Sequence, residues 1–66
     1  MTYSEQIKIA RDRLLLTQDE FASEIGVNPI TVCRWETGKC EPTIKAKKAL
    51  KVFFEKNGLN FEKQDI

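Results

Sequence analysis

The stretch from Thr17 to Gly38, TQDEFASEIGVNPITVCRWETG, constrains the fold more than any other part of this chain. It contains two complete helix-start signals and two glycine stops. Thr17 and Glu20 have the spacing of a capping box, in which each side chain bonds the other residue's backbone N–H. Leu16 before the cap and Phe21 after it have the spacing of a hydrophobic staple. Phe21, Ala22 and Ile25 form the inner face of this helix, and Gly26 ends it by taking the left-handed conformation at no steric cost. The next helix begins at once. Asn28 is a favoured N-cap, and Pro29 suits the first helical position, where its missing N–H has no partner to lose. Val27 and Val32 repeat the staple spacing, Val32 and Trp35 point inward, and Gly38 supplies the stop. Trp35 lies on the inner stripe at helical spacing and is read as core. The turn is Ile25-Gly26-Val27, and the small Ala22 lets the two helices approach closely. The spacing therefore predicts two short helices set as a rigid corner.

The rest of the chain reads as support for that corner. A first helix is expected from Ser4, its N-cap, to about Leu15. Ile7, Ala10, Arg11 and Leu14 share one face, and an arginine on an apolar stripe requires a carboxylate partner. After the loop Lys39-Cys40-Glu41-Pro42, Thr43 caps a fourth helix running to about Lys56. Its apolar stripe is Ala46, Ala49, Leu50, Phe53 and Phe54. Asn57-Gly58 ends it. Leu59 and Phe61 then alternate with polar residues, as in a short extended segment that would pair with the same segment of a second subunit. The expected class is all-α: one compact domain over 1–66 with four helices, or four to five, a helix-turn-helix unit at 17–38 and a tail at 58–66.

Composition narrows the function. The chain has 66 residues, two cysteines, no histidine and a net charge of +1. Cys33 and Cys40 cannot complete a tetrahedral zinc site, so no metal or cofactor is expected. No apolar run approaches the ~20 residues needed to cross a bilayer, and the N-terminal residues do not read as a signal peptide. A cytoplasmic protein follows, with no membrane partner. No histidine, paired-carboxylate site or phosphate loop is present, and Cys33 has no base to activate it, so an enzyme is not expected.

With Val32 and Trp35 inward, the opposite face of the third helix carries Pro29, Ile30, Cys33, Arg34 and Thr37, with Thr31 at its edge. Such a face fits the DNA major groove. Arg34 matches the O6 and N7 of guanine, and Ile30 and Thr31 can meet a thymine methyl. The lesser alternative for Arg34 is a solvated surface charge. Gln18 and Asn28, at helix N-termini, suit phosphate oxygens, and Lys39 and Thr43 extend the same contact. Thr37 belongs with this backbone-contacting set.

The pattern carried by Arg11, Leu16-Thr17-Gln18, Glu20-Phe21-Ala22, Gly26-Val27, Val32, Trp35-Glu36-Thr37-Gly38-Lys39 and Pro42-Thr43 resembles the helix-turn-helix of the Cro/C1 (XRE-like) family, with its lambda-repressor-like domain. The resemblance spans roughly 5 to 56. It implies that Gln18 grips the DNA backbone, that Asn28 and Lys39 also contact it, and that Pro29, Ile30 and Arg34 face base edges. It also implies that Arg11 and Glu36 form an ion pair. Leu15 stands where the family often has glycine, so it either continues the helix into the cap or sits strained. Phe54, Leu59 and Phe61 are candidates for a dimer contact or for closing the core.

The expected function is a sequence-specific regulator of transcription, prokaryotic or phage-encoded. It would repress by binding a near-palindromic operator as a homodimer, with the helix from 28 to 37 in the major groove. No small-molecule ligand is expected. The alternative is a protein-interaction module or an antitoxin, motivated by the near-neutral charge and the apolar Pro29-Ile30 patch.

Overall fold

A computed structural model describes residues 2–59 and 61. It contains four helices, α1 (Tyr3–Leu14), α2 (Gln18–Ile25), α3 (Pro29–Glu36) and α4 (Ile44–Lys56). No strand occurs among the described residues. The architecture is the all-α one expected. Residues 60 and 62–66, which hold most of the expected tail, lie outside the described set.

The helices start on hydroxyl and amide caps. Thr17 accepts from the Glu20 N–H, and Glu20 returns a bond to the Thr17 N–H at 2.9 Å. Thr43 accepts from the Ala46 N–H at 3.2 Å, and Asn28 accepts from the Ile30 N–H at 3.1 Å. One expected cap is corrected. Thr2, not Ser4, begins α1, in a capping box with Glu5 that repeats the Thr17/Glu20 spacing. Ser4 instead sits inside the helix and donates its hydroxyl to the Glu36 carbonyl at 2.5 Å, tying α1 to the end of α3.

All four helices end in the same way. The N–H of residues 16, 27, 39 and 59 bonds back to the carbonyl of Arg11, Ala22, Arg34 and Phe54, six residues closing each loop. This is the Schellman arrangement, which requires a left-handed residue just before the donor. Gly26, Gly38 and Gly58 supply it at three ends, and Leu15, with φ of 56°, at the fourth. Leu15 therefore does not continue α1. It occupies a conformation that costs a branched side chain about 1–2 kcal/mol, and its side chain, 88% exposed, gains no packing in return. Leu15→Gly should raise stability by about 0.5–1 kcal/mol, the relief of strain being partly offset by a freer unfolded chain. A thermal melt should show a midpoint higher by about 2–8 °C. A lower midpoint would contradict the assigned strain.

The core gathers Ile7 and Ala10 of α1, Phe21 and Ala22 of α2, Val32 and Trp35 of α3, and Ala46, Leu50, Phe53 and Phe54 of α4. Ala22 is fully buried where α2 meets α3. Edge-to-face rings run from Phe21 to Phe53 (5.3 Å), Phe53 to Phe54 (6.2 Å) and Phe54 to Phe61 (5.0 Å), so α2, α4 and the start of the tail share one aromatic seam. Phe54, Leu59 and Phe61 are all buried within the single chain. Of the two roles weighed for them, closing the core describes their place in the chain.

Candidate nucleic-acid interface

The orientation of α3 is fixed by one network of polar side chains. Glu36, at its last turn, is only 6% exposed. Its carboxylate accepts from Arg11 Nε at 2.5 Å and Nη2 at 3.0 Å, and from Gln18 Nε2 at 3.1 Å. Arg11 Nη1 reaches the Leu16 carbonyl at 3.0 Å. The middle of α1 and the first residue of α2 thus meet on a carboxylate at the end of α3, and Arg11 ties the α1–α2 turn to the same network. The two-pronged guanidinium fits the carboxylate in a way a lysine cannot. The arginine on the apolar stripe of α1 has its partner, and Glu36 has no unsatisfied buried oxygen.

Burial on its own would push the Glu36 carboxyl up. The hydrogen bonds from Arg11 and Gln18, with the Arg11 and Lys8 charges, outweigh it and hold the group below the ordinary carboxyl range. The Glu36 hydrogen bond, more than opposing burial, raises Arg11. A carboxyl lowered on folding contributes stability above its unfolded value, about 4.3, and loses it as the pH falls through its folded value. Stability should therefore decline on acidification below about pH 5. Glu36→Gln should be less stable near neutrality and show a shallower acid decline. The slope stays above zero because Glu5, lowered first by its bond to the Thr2 N–H, remains. Urea midpoints between pH 3 and 7 measure both slopes, and equal slopes would contradict the account.

With α3 held by Val32, Trp35 and Glu36, its opposite face is turned to solvent. Pro29, Ile30, Cys33, Arg34 and Thr37 are exposed and Thr31 is half-buried. Ile30, 61% exposed, is a large apolar side chain with no packing role. Arg34 has no acidic partner among the described residues.

The residues expected to hold a DNA backbone differ in the hydrogen atoms they have left. Gln18 commits one amide N–H to Glu36 and keeps the second. Asn28 uses its carbonyl oxygen as a cap, which leaves its amide donors. Thr43 likewise accepts through its oxygen and keeps its O–H. Thr37 is different: its hydroxyl donates to the Cys33 and Arg34 carbonyls at 3.0 and 3.2 Å. It can approach a phosphate as a donor only by giving up those bonds. Lys39 is exposed just beyond the end of α3. The sequence reading missed the Gln18–Glu36 bond and the Ser4 link. The first has no local signal, because residues 18 apart meet only once the helices pack.

No group of three or more histidine, cysteine or acidic residues gathers as for a metal among the described residues. Cys33 and Cys40 are free and exposed. No helix among the described residues is long and apolar enough to cross a membrane.

Two short helices joined at a glycine turn, the second clamped by its inner side and bare on its outer side, define a helix-turn-helix DNA-binding domain. The family model described as Helix-turn-helix matches residues 7–53. The chain belongs to that family, in its Cro/C1 type, and is a DNA-binding regulator of that type. No curated protein and no solved structure matches it significantly.

Proposed function

We propose that the chain represses transcription by binding a near-palindromic operator as a homodimer, each copy laying α3 in the major groove. The observation that carries this reading is the division of α3 into two sides. Val32, Trp35 and Glu36 are its buried residues, while the side chains of Pro29, Ile30, Cys33 and Arg34 are exposed. Arg34 would donate to guanine O6 and N7, and Ile30 and Thr31 would pack on a thymine methyl. Pro29 brings the helix start against the base edges without a side-chain donor. With one polar reader on this face, sequence-dependent DNA shape supplies part of the selectivity. Gln18, Asn28, Lys39 and Thr43 would grip phosphates through the donors they retain, with Thr37 the weakest of the set. Steric exclusion is the simplest mode of repression for such a domain.

A random-sequence binding selection tests this. It should return a symmetric consensus with half-sites about 34 Å apart, one helical turn, each containing a guanine that Arg34 reads. Lys39→Ala should then weaken binding to the consensus and to unrelated duplex by the same factor, and lower the salt slope by about one. An asymmetric consensus bound by one copy would overturn the dimer. No detectable duplex binding at low salt would favour the protein-interaction reading, for which the exposed Ile30 on α3 is the motivating observation.

A further inference from the structure

Leu15 is the one residue besides glycine with a left-handed backbone among the described residues, at φ 56° and ψ 44°. For a bulky side chain that conformation is an outlier. Leu15 is also the most exposed large apolar side chain among them. A leucine standing singly on a surface is ordinary. This one combines exposure with a backbone that glycine would take without strain. Residues held in such conformations cluster where a protein meets its ligands.

The surroundings of Leu15 indicate which ligand. It lines a shallow hollow with Lys8, Arg11, Asp12 and Leu16. Lys8 and Arg11, three apart on α1, share a face of that helix. Lys8 is exposed, and it lies near enough to Glu36 for its charge to act on that carboxylate. Arg11 binds Glu36, and Glu36 holds Gln18. The hollow is therefore continuous with the edge of the corner where α2 begins, three residues beyond Leu15. A duplex backbone alternates charged phosphates with the apolar faces of deoxyriboses, so it fits a leucine beside a lysine. We propose that Leu15 packs on a deoxyribose of the DNA strand whose phosphate Gln18 grips, with Lys8 on the adjoining phosphate. This rests on the reading that the corner faces DNA, and it adds α1 and the α1–α2 turn to the surface that meets the duplex.

Fluorescence anisotropy of the full chain with the selected operator and with a scrambled duplex tests this. Leu15→Gly should weaken both duplexes by the same factor, about threefold to tenfold per bound copy, as half-burying a leucine side chain implies. Its thermal melt should rise at the same time. A variant that is more stable and binds less has not lost binding through lost folding. Leu15→Met keeps an apolar side chain of similar volume and should bind within about twofold of wild type. Lys8→Ala should lower the salt slope by about one. Asp12, in the same hollow, opposes a phosphate, so Asp12→Asn should tighten binding to both duplexes. Unchanged affinity of Leu15→Gly, or a loss confined to the operator, would overturn the proposal. Altered sedimentation of free Leu15→Gly with duplex binding intact would assign the side chain to a contact between copies and overturn it as well. Wild-type chain that binds neither duplex would instead end the DNA reading itself, and this inference with it.

Discussion

Arg11→Ala should lower the stability of this domain by ~3 kcal/mol or more, because it strands the buried Glu36 carboxylate without its charged partner. That is a large share of what a chain of this size can hold, since a core below about 70–80 residues rarely supplies more than 3–5 kcal/mol. The variant should be substantially unfolded at room temperature, or melt far below the parent. Arg11→Lys is the informative companion. It keeps a positive charge but loses the two-pronged geometry and the bond to the Leu16 carbonyl, so its loss should be intermediate. The double change Arg11→Leu with Glu36→Leu should recover part of the loss, because removing both charges removes the desolvation penalty along with the pair. Unchanged unfolding of Arg11→Ala would show that the network does not hold α3.

Arg34→Ala should leave stability unaltered, since the side chain is exposed and has no acidic partner among the described residues. Its effect should fall on DNA. Loss of a bidentate contact to guanine costs about 1–3 kcal/mol at the selected site, roughly 5- to 150-fold in affinity. The preference at that one base pair should relax, while binding to unrelated duplex falls only by the loss of one positive charge. If specific and non-specific affinity drop by the same factor, Arg34 is a phosphate contact, and base reading on this face rests on Ile30, Thr31 and DNA shape. The two substitutions separate the two sides of α3. One removes what positions the helix and the other removes what the helix presents.

The corner was readable from the sequence because local chemistry specifies it. The Thr17/Glu20 box, the Asn28-Pro29 start, and glycines at 26 and 38 each act on the nearest few residues, and the helices begin and end where these signals place them. Where the reading failed, distant partners decided. Ser4 has the chemistry of a cap, but its hydroxyl is taken by the Glu36 carbonyl, and the equally good Thr2, three residues before Glu5, takes the cap. Leu15 gives no local sign of a left-handed backbone. The turn demands one, and the packing on either side is firm enough to impose it. Gln18 was read by its outward role alone, and its inward bond to Glu36 appears only when α2 and α3 meet. Phe54, Leu59 and Phe61 show a different limit. A run of large apolar residues demands burial but does not say by which chain, and here the chain's own core supplies it.

The most direct measurement is a salt titration of wild-type binding to the selected operator and to a scrambled duplex of equal length. If the outer face of α3 reads DNA, the logarithm of affinity should fall linearly with the logarithm of salt for both. The operator should remain favoured by about 10³-fold or more across the range. Indistinguishable affinities for the two duplexes, or no binding to either at low salt, would contradict the assignment of that face to sequence-specific recognition.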